Sequence, residues 1–231
     1  MDAKVIPAAD IFTFVGDHPS LLWHSVLQTL GLFAAAFAIA VAVALPLAIW
    51  LGHLHRGSFL AINIGNIGRA LPSLAVISIL LALVGIGFLN VVVALALLAI
   101  PVIVTNTYVA VDGVDRDVVE AARGIGMTPR QLLARVELPL ALPLIFAGLR
   151  TAAVIVMATT PLAAVAGGSG LGQIIVNQPS YGLDGVIAAS LFITALSFIA
   201  ELGFAGLQRV LTPRGLRQTE KVPALGPALR T

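Results

Sequence analysis

The sequence predicts an all-α polytopic membrane protein of about five transmembrane helices, with the N-terminus outside and the C-terminus inside. Three observations carry this fold class. Only 10% of the 231 residues are charged and 59% are hydrophobic, whereas soluble domains carry roughly a quarter charged residues. The mean hydropathy of +1.04 points the same way. The few charges also cluster, leaving charge-free stretches that exceed the roughly 20 residues of helix needed to cross a bilayer. Cysteine is absent, which excludes a disulfide framework and a thiolate metal site. The first twenty residues lack the basic start, apolar core and cleavage site of a signal peptide, so the spans themselves are expected to direct insertion. Lipid is the partner this composition demands, and no nucleic acid is expected.

The spans follow in order. No Asp, Glu, Lys or Arg falls between Asp17 and Arg56, and the apolar run there predicts a first span over 22–52. From Arg69 to Asp112 another 42 residues carry no charge. As one helix they would reach about 63 Å, twice the hydrocarbon thickness, so the chain must fold back. The sequence GIGFLN at 85–90 supplies the glycines and asparagine of a reversal, dividing the stretch into spans over 67–86 and 88–111. Pro72 and Pro101 fall inside them, and each frees a carbonyl, which predicts kinks. Spans four and five are expected over 141–166 and 185–210. An odd number places the termini on opposite faces. Eleven of the 13 Lys and Arg residues fall in the loop between spans one and two, the loop between three and four, or the C-terminal tail; an excess of such charge marks the cytoplasmic side. The expected organisation is an extracytoplasmic segment 1–21, a transmembrane domain 22–212 with a cytoplasmic loop at 112–139, and a cytoplasmic tail 213–231. Arg150 and Glu201 sit at similar depth in spans four and five. Ions in lipid need a partner or water, so mutual pairing and snorkelling to the inner interface are the two solutions.

The loop 112–139 holds nine of the chain's 24 charged residues and carries its own helix punctuation. Asp115 and Asp117 are candidate N-caps, and DVVE fits a capping box with Glu120 at the third helical position. A first helix would run to about Ile125, with Gly126 where a helix terminus favours a left-handed residue. Thr128, Pro129 and Gln131 then supply a second N-cap, a first-turn proline and a second capping box. Leu132, Leu133 and Val136 form an apolar stripe for resting on the membrane domain. Pro139 is expected to end or bend this second helix at Leu138, before span four.

Within this loop Glu120, Ala121 and Ala122 are followed after three residues by Gly126, and after nine more by Val136, Leu138 and Pro139. The pattern resembles the signature cytoplasmic loop of the permease subunits of bacterial ABC importers of the binding-protein-dependent type, with Val136 in place of isoleucine. The text EAARGIGMTPRQLLARVELPLALPLIFAGLRTA, followed by GGSGLGQII, is most similar to the osmoprotectant branch, which imports glycine betaine, choline and related quaternary amines. The resemblance covers roughly 22–212. It implies a multi-pass protein of the bacterial cytoplasmic membrane that is a transport subunit rather than an enzyme. Its first loop helix, through Glu120, Ala121, Ala122, Arg123 and Gly126, would dock on a dimeric cytoplasmic ATPase. No phosphate-binding GxxxxGK[ST] sequence occurs in the chain, so ATP and magnesium would be bound by that partner and no cofactor by this chain. The resemblance also implies a second permease copy, or a related permease, and an extracytoplasmic substrate-binding protein.

Other signals weigh less. GGSG at 167–170 matches the nucleophile sequence of rhomboid proteases, but those need a later histidine, and His18, His24, His53 and His55 all precede it; a turn is expected there. His53 and His55, as HLH, would need a third ligand to hold a metal, and none is nearby, so an interfacial role is expected. The polar residues Ser78, Asn106, Thr107, Thr159, Thr160, Ser190, Thr194 and Ser197 are candidates to line a pathway, although serine and threonine also satisfy helix backbones. The alternatives are an amino-acid or other permease of the same superfamily and an ion-driven secondary transporter. The latter would show inverted repeats and buried ionisable groups, and only Arg150 and Glu201 qualify.

The orientation has a direct test. Cysteines placed at Arg130 and Gln218 of this cysteine-free chain should resist an impermeant thiol reagent in intact cells and react after permeabilisation. Labelling of both in intact cells would reverse the assignment.

Overall fold

The computed structural model describes residues 7–212, and among these the regular structure is entirely helical. Lys4 and the tail 213–231 lie outside the described residues. In order the chain forms α1 (Ala8–Asp17), α2 (Pro19–His53), α3 (Ser58–Ala70), α4 (Ser73–Val84), α5 (Phe88–Asp112), α6 (Arg116–Gly124), α7 (Pro129–Leu132), a π-helical stretch (Leu133–Glu137), α8 (Leu138–Thr159), a 3₁₀ stretch (Thr160–Ala166), α9 (Leu171–Val176) and α10 (Gln178–Leu211). Among the described residues four helices are long and apolar enough to cross a membrane, or five with α3 and α4 taken as one broken span.

The centre of the bundle is α5, which packs against α2, α3, α4 and α8. Lipid tails are as apolar as leucine, so spans associate where small residues let backbones approach. On α2 that surface is a stripe at every fourth position, Leu32, Ala36, Ala40, Ala44 and Ala48, all buried, ending at Gly52. A Cβ at Gly52 would lie 2.8 Å from Cβ of Val111, and one at Gly148 of α8 would collide with Asn106. Both faces of α5 are therefore packed to backbone distance. The opposite face of α2 exposes Ile39, Val43, Leu47 and Trp50, as a lipid-facing surface should.

Three expectations need correction. The first span begins at Pro19 rather than 22 and is preceded, within the segment 1–21, by α1, whose buried Phe14 packs with Ala188 and Ala189 of α10. The second span, expected as one helix over 67–86, is two helices meeting at 93°. Pro72 sits between them, extended at φ −65°, ψ 122°, as the N-cap of α4. It breaks the helix rather than kinking it, because Leu71, the residue before a proline, is pushed out of the helical region. Pro101, by contrast, remains inside a continuous α5, while Thr105 donates its hydroxyl to the carbonyls of Pro101 and Ala61. Third, span four starts earlier than 141. The segment Pro129–Ala166 is continuous, so Pro139 does not end a loop helix. It lacks an N–H for the Arg135 carbonyl, and the local answer is the π stretch just before it, where Leu138 N–H bonds to Leu133 C=O.

The reversal at GIGFLN is present, with Gly85 at φ 88°, Gly87 at φ 142° and Asn90 donating to the Gly85 carbonyl at 3.0 Å. The GGSG turn is fastened to α2 by Thr29, whose Oγ1 accepts the Leu171 N–H at 3.0 Å. Of the two solutions for the intramembrane ions, the structure adopts pairing: Arg150 Nε lies 3.0 Å from Glu201 Oε1, joining α8 to α10. Gln208 adds a second polar link to the Pro143 carbonyl.

Arg150→Ala and Glu201→Ala should each cost about 1 kcal/mol of bundle stability. The reversed pair, Arg150→Glu with Glu201→Arg, should recover part of it in thermal unfolding of the detergent-solubilised subunit. A double variant no more stable than the worse single would show that the pair does not join the helices.

Candidate functional site

The loop 112–139 stands at the end of the bundle where α2 and α5 finish and α8 begins. Its first helix starts at a cap the sequence offers twice. Asp115 is the N-cap, its side chain accepting the Asp117 N–H at 2.9 Å, and Asp117 lies in the first turn beside the positive end of the helix dipole. The capping box expected from Asp117 to Glu120 is therefore not formed. The helix has already begun at Arg116, which puts Glu120 beyond the reach of the cap.

The end of α6 is as the sequence predicts. Gly126 is left-handed at φ 82°. Its N–H bonds to the Arg123 carbonyl at 2.9 Å and the Met127 N–H to the Ala122 carbonyl at 3.2 Å, the two bonds of a Schellman motif. The second capping box is complete: Thr128 N–H donates to Gln131 Oε1 at 2.9 Å, and Gln131 N–H to Thr128 Oγ1 at 3.4 Å. Leu132 is buried, and Leu133 and Val136 pack against the core, as the apolar stripe requires. The pair is not, however, two free helices, because α7 is the projecting end of span four.

The eight signature residues separate into two groups. Glu120, Ala121, Arg123 and Gly126 are exposed on α6 and its turn, whereas Ala122 is buried and Val136, Leu138 and Pro139 are half-buried. The two alanines thus do different work: Ala122 and Val119 seat α6 on its own chain, and Ala121 faces outward. Two outward residues escaped the sequence reading. Val118 and Ile125 are exposed, Ile125 at 77%, and with Ala121 they occupy positions i, i+3 and i+7, one face of a helix. That spacing was the available signal. The outward face of α6 is thus a narrow apolar ridge with Asp117 along one side, Glu120 next round the helix and Arg123 on the far side.

The pathway candidates are less gathered. Ser78, Asn106, Thr159, Ser190, Thr194 and Ser197 each donate to the carbonyl four residues earlier in their own helix. Thr160 and Thr107 are buried within the chain. Ser190, Thr194 and Ser197 share a concavity, a groove of about 410 Å³ between α10 and the Ala158–Pro161 end of span four. His53 and His55 do not converge on one point; each pairs with a different carboxylate, Glu137 and Asp112.

The described residues thus form an all-helical polytopic bundle with a capped helix presenting an exposed apolar ridge at one end. Residues 44–215 match the family described as "binding-protein-dependent transport system inner membrane component", and the chain belongs to that family of multi-pass inner-membrane proteins. It is 33% identical over 217 residues to the choline transport system permease protein OpuBB of Bacillus subtilis, covering 92% of this chain and 98% of that one. It is 35% identical over 221 residues to the osmoprotectant import permease protein OsmW of Salmonella typhimurium, covering 90% and 100%. Among solved structures, the inward-facing MetNI methionine ABC transporter shares the fold with a TM-score of 0.72 at 22% identity, over 84% of this chain and 97% of that chain.

A Cβ at Gly126 would meet no atom within 4 Å, so the cost of Gly126→Val lies in the left-handed backbone alone, about 1 to 2 kcal/mol. The variant should insert and accumulate normally. Hydrogen exchange should show α6 amides opening roughly tenfold faster or more while α5 amides are unchanged. Equal acceleration in both helices would mean the turn supports the whole bundle.

Proposed function

We propose that this chain is the membrane-spanning subunit of an ATP-driven importer of quaternary-amine osmoprotectants such as choline and glycine betaine, working with a cytoplasmic ATPase dimer, a second permease and an extracytoplasmic binding protein. The observation that carries the docking role is the outward ridge of Val118, Ala121 and Ile125 on a helix whose other face is committed to its own chain. A helix held at both ends by local caps and seated by Val119 and Ala122 moves as a rigid piece when its ridge is pulled. Asp117 beside the ridge supplies a polar contact that fixes the register of such a partner, with Glu120 and Arg123 offering further charge round the helix. On this reading the α6 end is cytoplasmic, the domain spans 22–212, and the ATP and magnesium belong to the partner chain. The substrate class rests on sequence likeness to choline and osmoprotectant permeases over nearly their whole length. Quaternary ammonium groups are held by aromatic cages; with two Trp and two Tyr in this chain, that cage is assigned to the binding protein.

Cells lacking the chain should lose uptake of radiolabelled choline or glycine betaine and keep that of methionine. Ile125→Asp should accumulate normally yet fail to copurify the ATPase, since it buries a charge at the centre of the contact. Loss of methionine uptake instead would assign an amino-acid substrate. Undiminished copurification with Ile125→Asp would move the contact off α6.

A further inference from the structure

The tripeptide HLH at 53–55 is left over once the loop has been accounted for, and the structure gives it a task. His53 is the last residue of α2. Its Nδ1 lies 2.5 Å from Oε2 of Glu137, the last residue of the π stretch and the point where the projecting end of span four meets α8. His55 Nδ1 lies 2.8 Å from Oδ1 of Asp112, the last residue of α5 and the point where the loop leaves it. Two histidines two residues apart on one turn thus hold the two ends of a single intervening segment, 113–136. The histidines are two positions apart, whereas the carboxylates are 25 positions apart in sequence.

The turn that presents these rings is itself fixed. His55 is in the left-handed region at φ 50° and Gly57 follows at φ 82°. His55 N–H returns to the Gly52 carbonyl, and Arg56 N–H to that of Leu51. Gly52 in turn lies against Val111 and the Tyr108 carbonyl, so the last turns of α2 and α5 cannot slide without separating backbones. Glu137 has no solvent exposure, and its second oxygen, Oε1, has no hydrogen-bond partner. A carboxylate so enclosed has a single polar contact holding it, and without His53 it would be a buried acceptor with no partner at all.

We infer that His53 and His55 staple both roots of the α6–α7 loop to the end of α2, so that displacement of α6 is delivered to α2, α5 and α8 together instead of being absorbed by bending at the roots. They are positioning residues: they are set back from the outward ridge of α6. The inference rests on the docking role proposed above for that helix. It predicts a loss of coupling rather than a loss of assembly.

The test uses the full complex, chain, ATPase and binding protein, reconstituted in liposomes, with choline uptake and binding-protein-stimulated ATP hydrolysis measured in parallel. His55→Ala removes the more exposed contact, and His53→Gln keeps an N–H donor for Glu137 where His53→Ala does not. Uptake per ATP hydrolysed should fall about tenfold in His55→Ala and in His53→Ala. The amount of assembled complex should be unchanged in His55→Ala, and His53→Gln should recover most of the ratio. Alanine variants with a normal ratio would overturn the inference. So would losses of uptake and hydrolysis that merely track the amount of complex recovered, or an equal defect in His53→Gln and His53→Ala. Should the docking role itself be wrong, Ile125→Asp would still copurify the ATPase, which separates that failure from this one.

Discussion

Spans in a bilayer gain little from meeting one another, because each could meet lipid instead; they stay together where their backbones come close enough for dense contact. Here that condition is satisfied around α5. The alanine stripe of α2 ends in a glycine pressed on Val111, and Gly148 brings α8 against Asn106 on another side. The remaining features are arranged about this three-helix body. The broken pair α3 and α4 folds along it, α10 is tied on through Arg150 and Glu201, and the loop carrying α6 bridges the ends of two of its three members.

The sequence was most informative where the governing chemistry is local. The start of α7 and the end of α6 were legible because capping boxes and a left-handed glycine depend on residues a few positions apart. The Arg150–Glu201 contact was legible for another reason: charges are so rare in the spans that two at equal depth have few other partners. What was not legible depended on context. A proline inside an apolar run reads as a kink and one after a short helix as an end or a bend, and nothing local distinguishes Pro72, which breaks its helix, from Pro139, which a π turn carries through. Asp115 and Asp117 offered two helix starts, and only the folded loop chooses the first. The pairing of His53 with Glu137, 84 residues apart, had no sequence signal beyond the presence of two ionisable groups near apolar runs.

The signature motif of the family also takes on physical content. Its residues form an outward set on α6 and an inward set that joins Ala122 with the base of α8. A substitution in the first set alters what a partner meets, and one in the second alters how the helix is mounted. Beside the motif positions lie Val118 and Ile125, whose exposure makes the apolar outward face of α6 wider than the pattern.

The continuity of Pro129–Ala166 has a mechanical meaning. Thirty-eight residues make a rod of about 57 Å at 1.5 Å per residue, nearly twice the hydrocarbon thickness. A rod that overhangs its bearing works as a crank. Tilted by about 10° around one end, it sweeps the other through roughly 10 Å, a distance comparable to the separation of two packed helices. Had Pro139 cut the helix as its chemistry ordinarily dictates, the same tilt would have been spent at the cut. The π turn therefore sets the stiffness of the shaft: by keeping the helix whole across a proline, it leaves a tilt imposed at one end undiminished at the other.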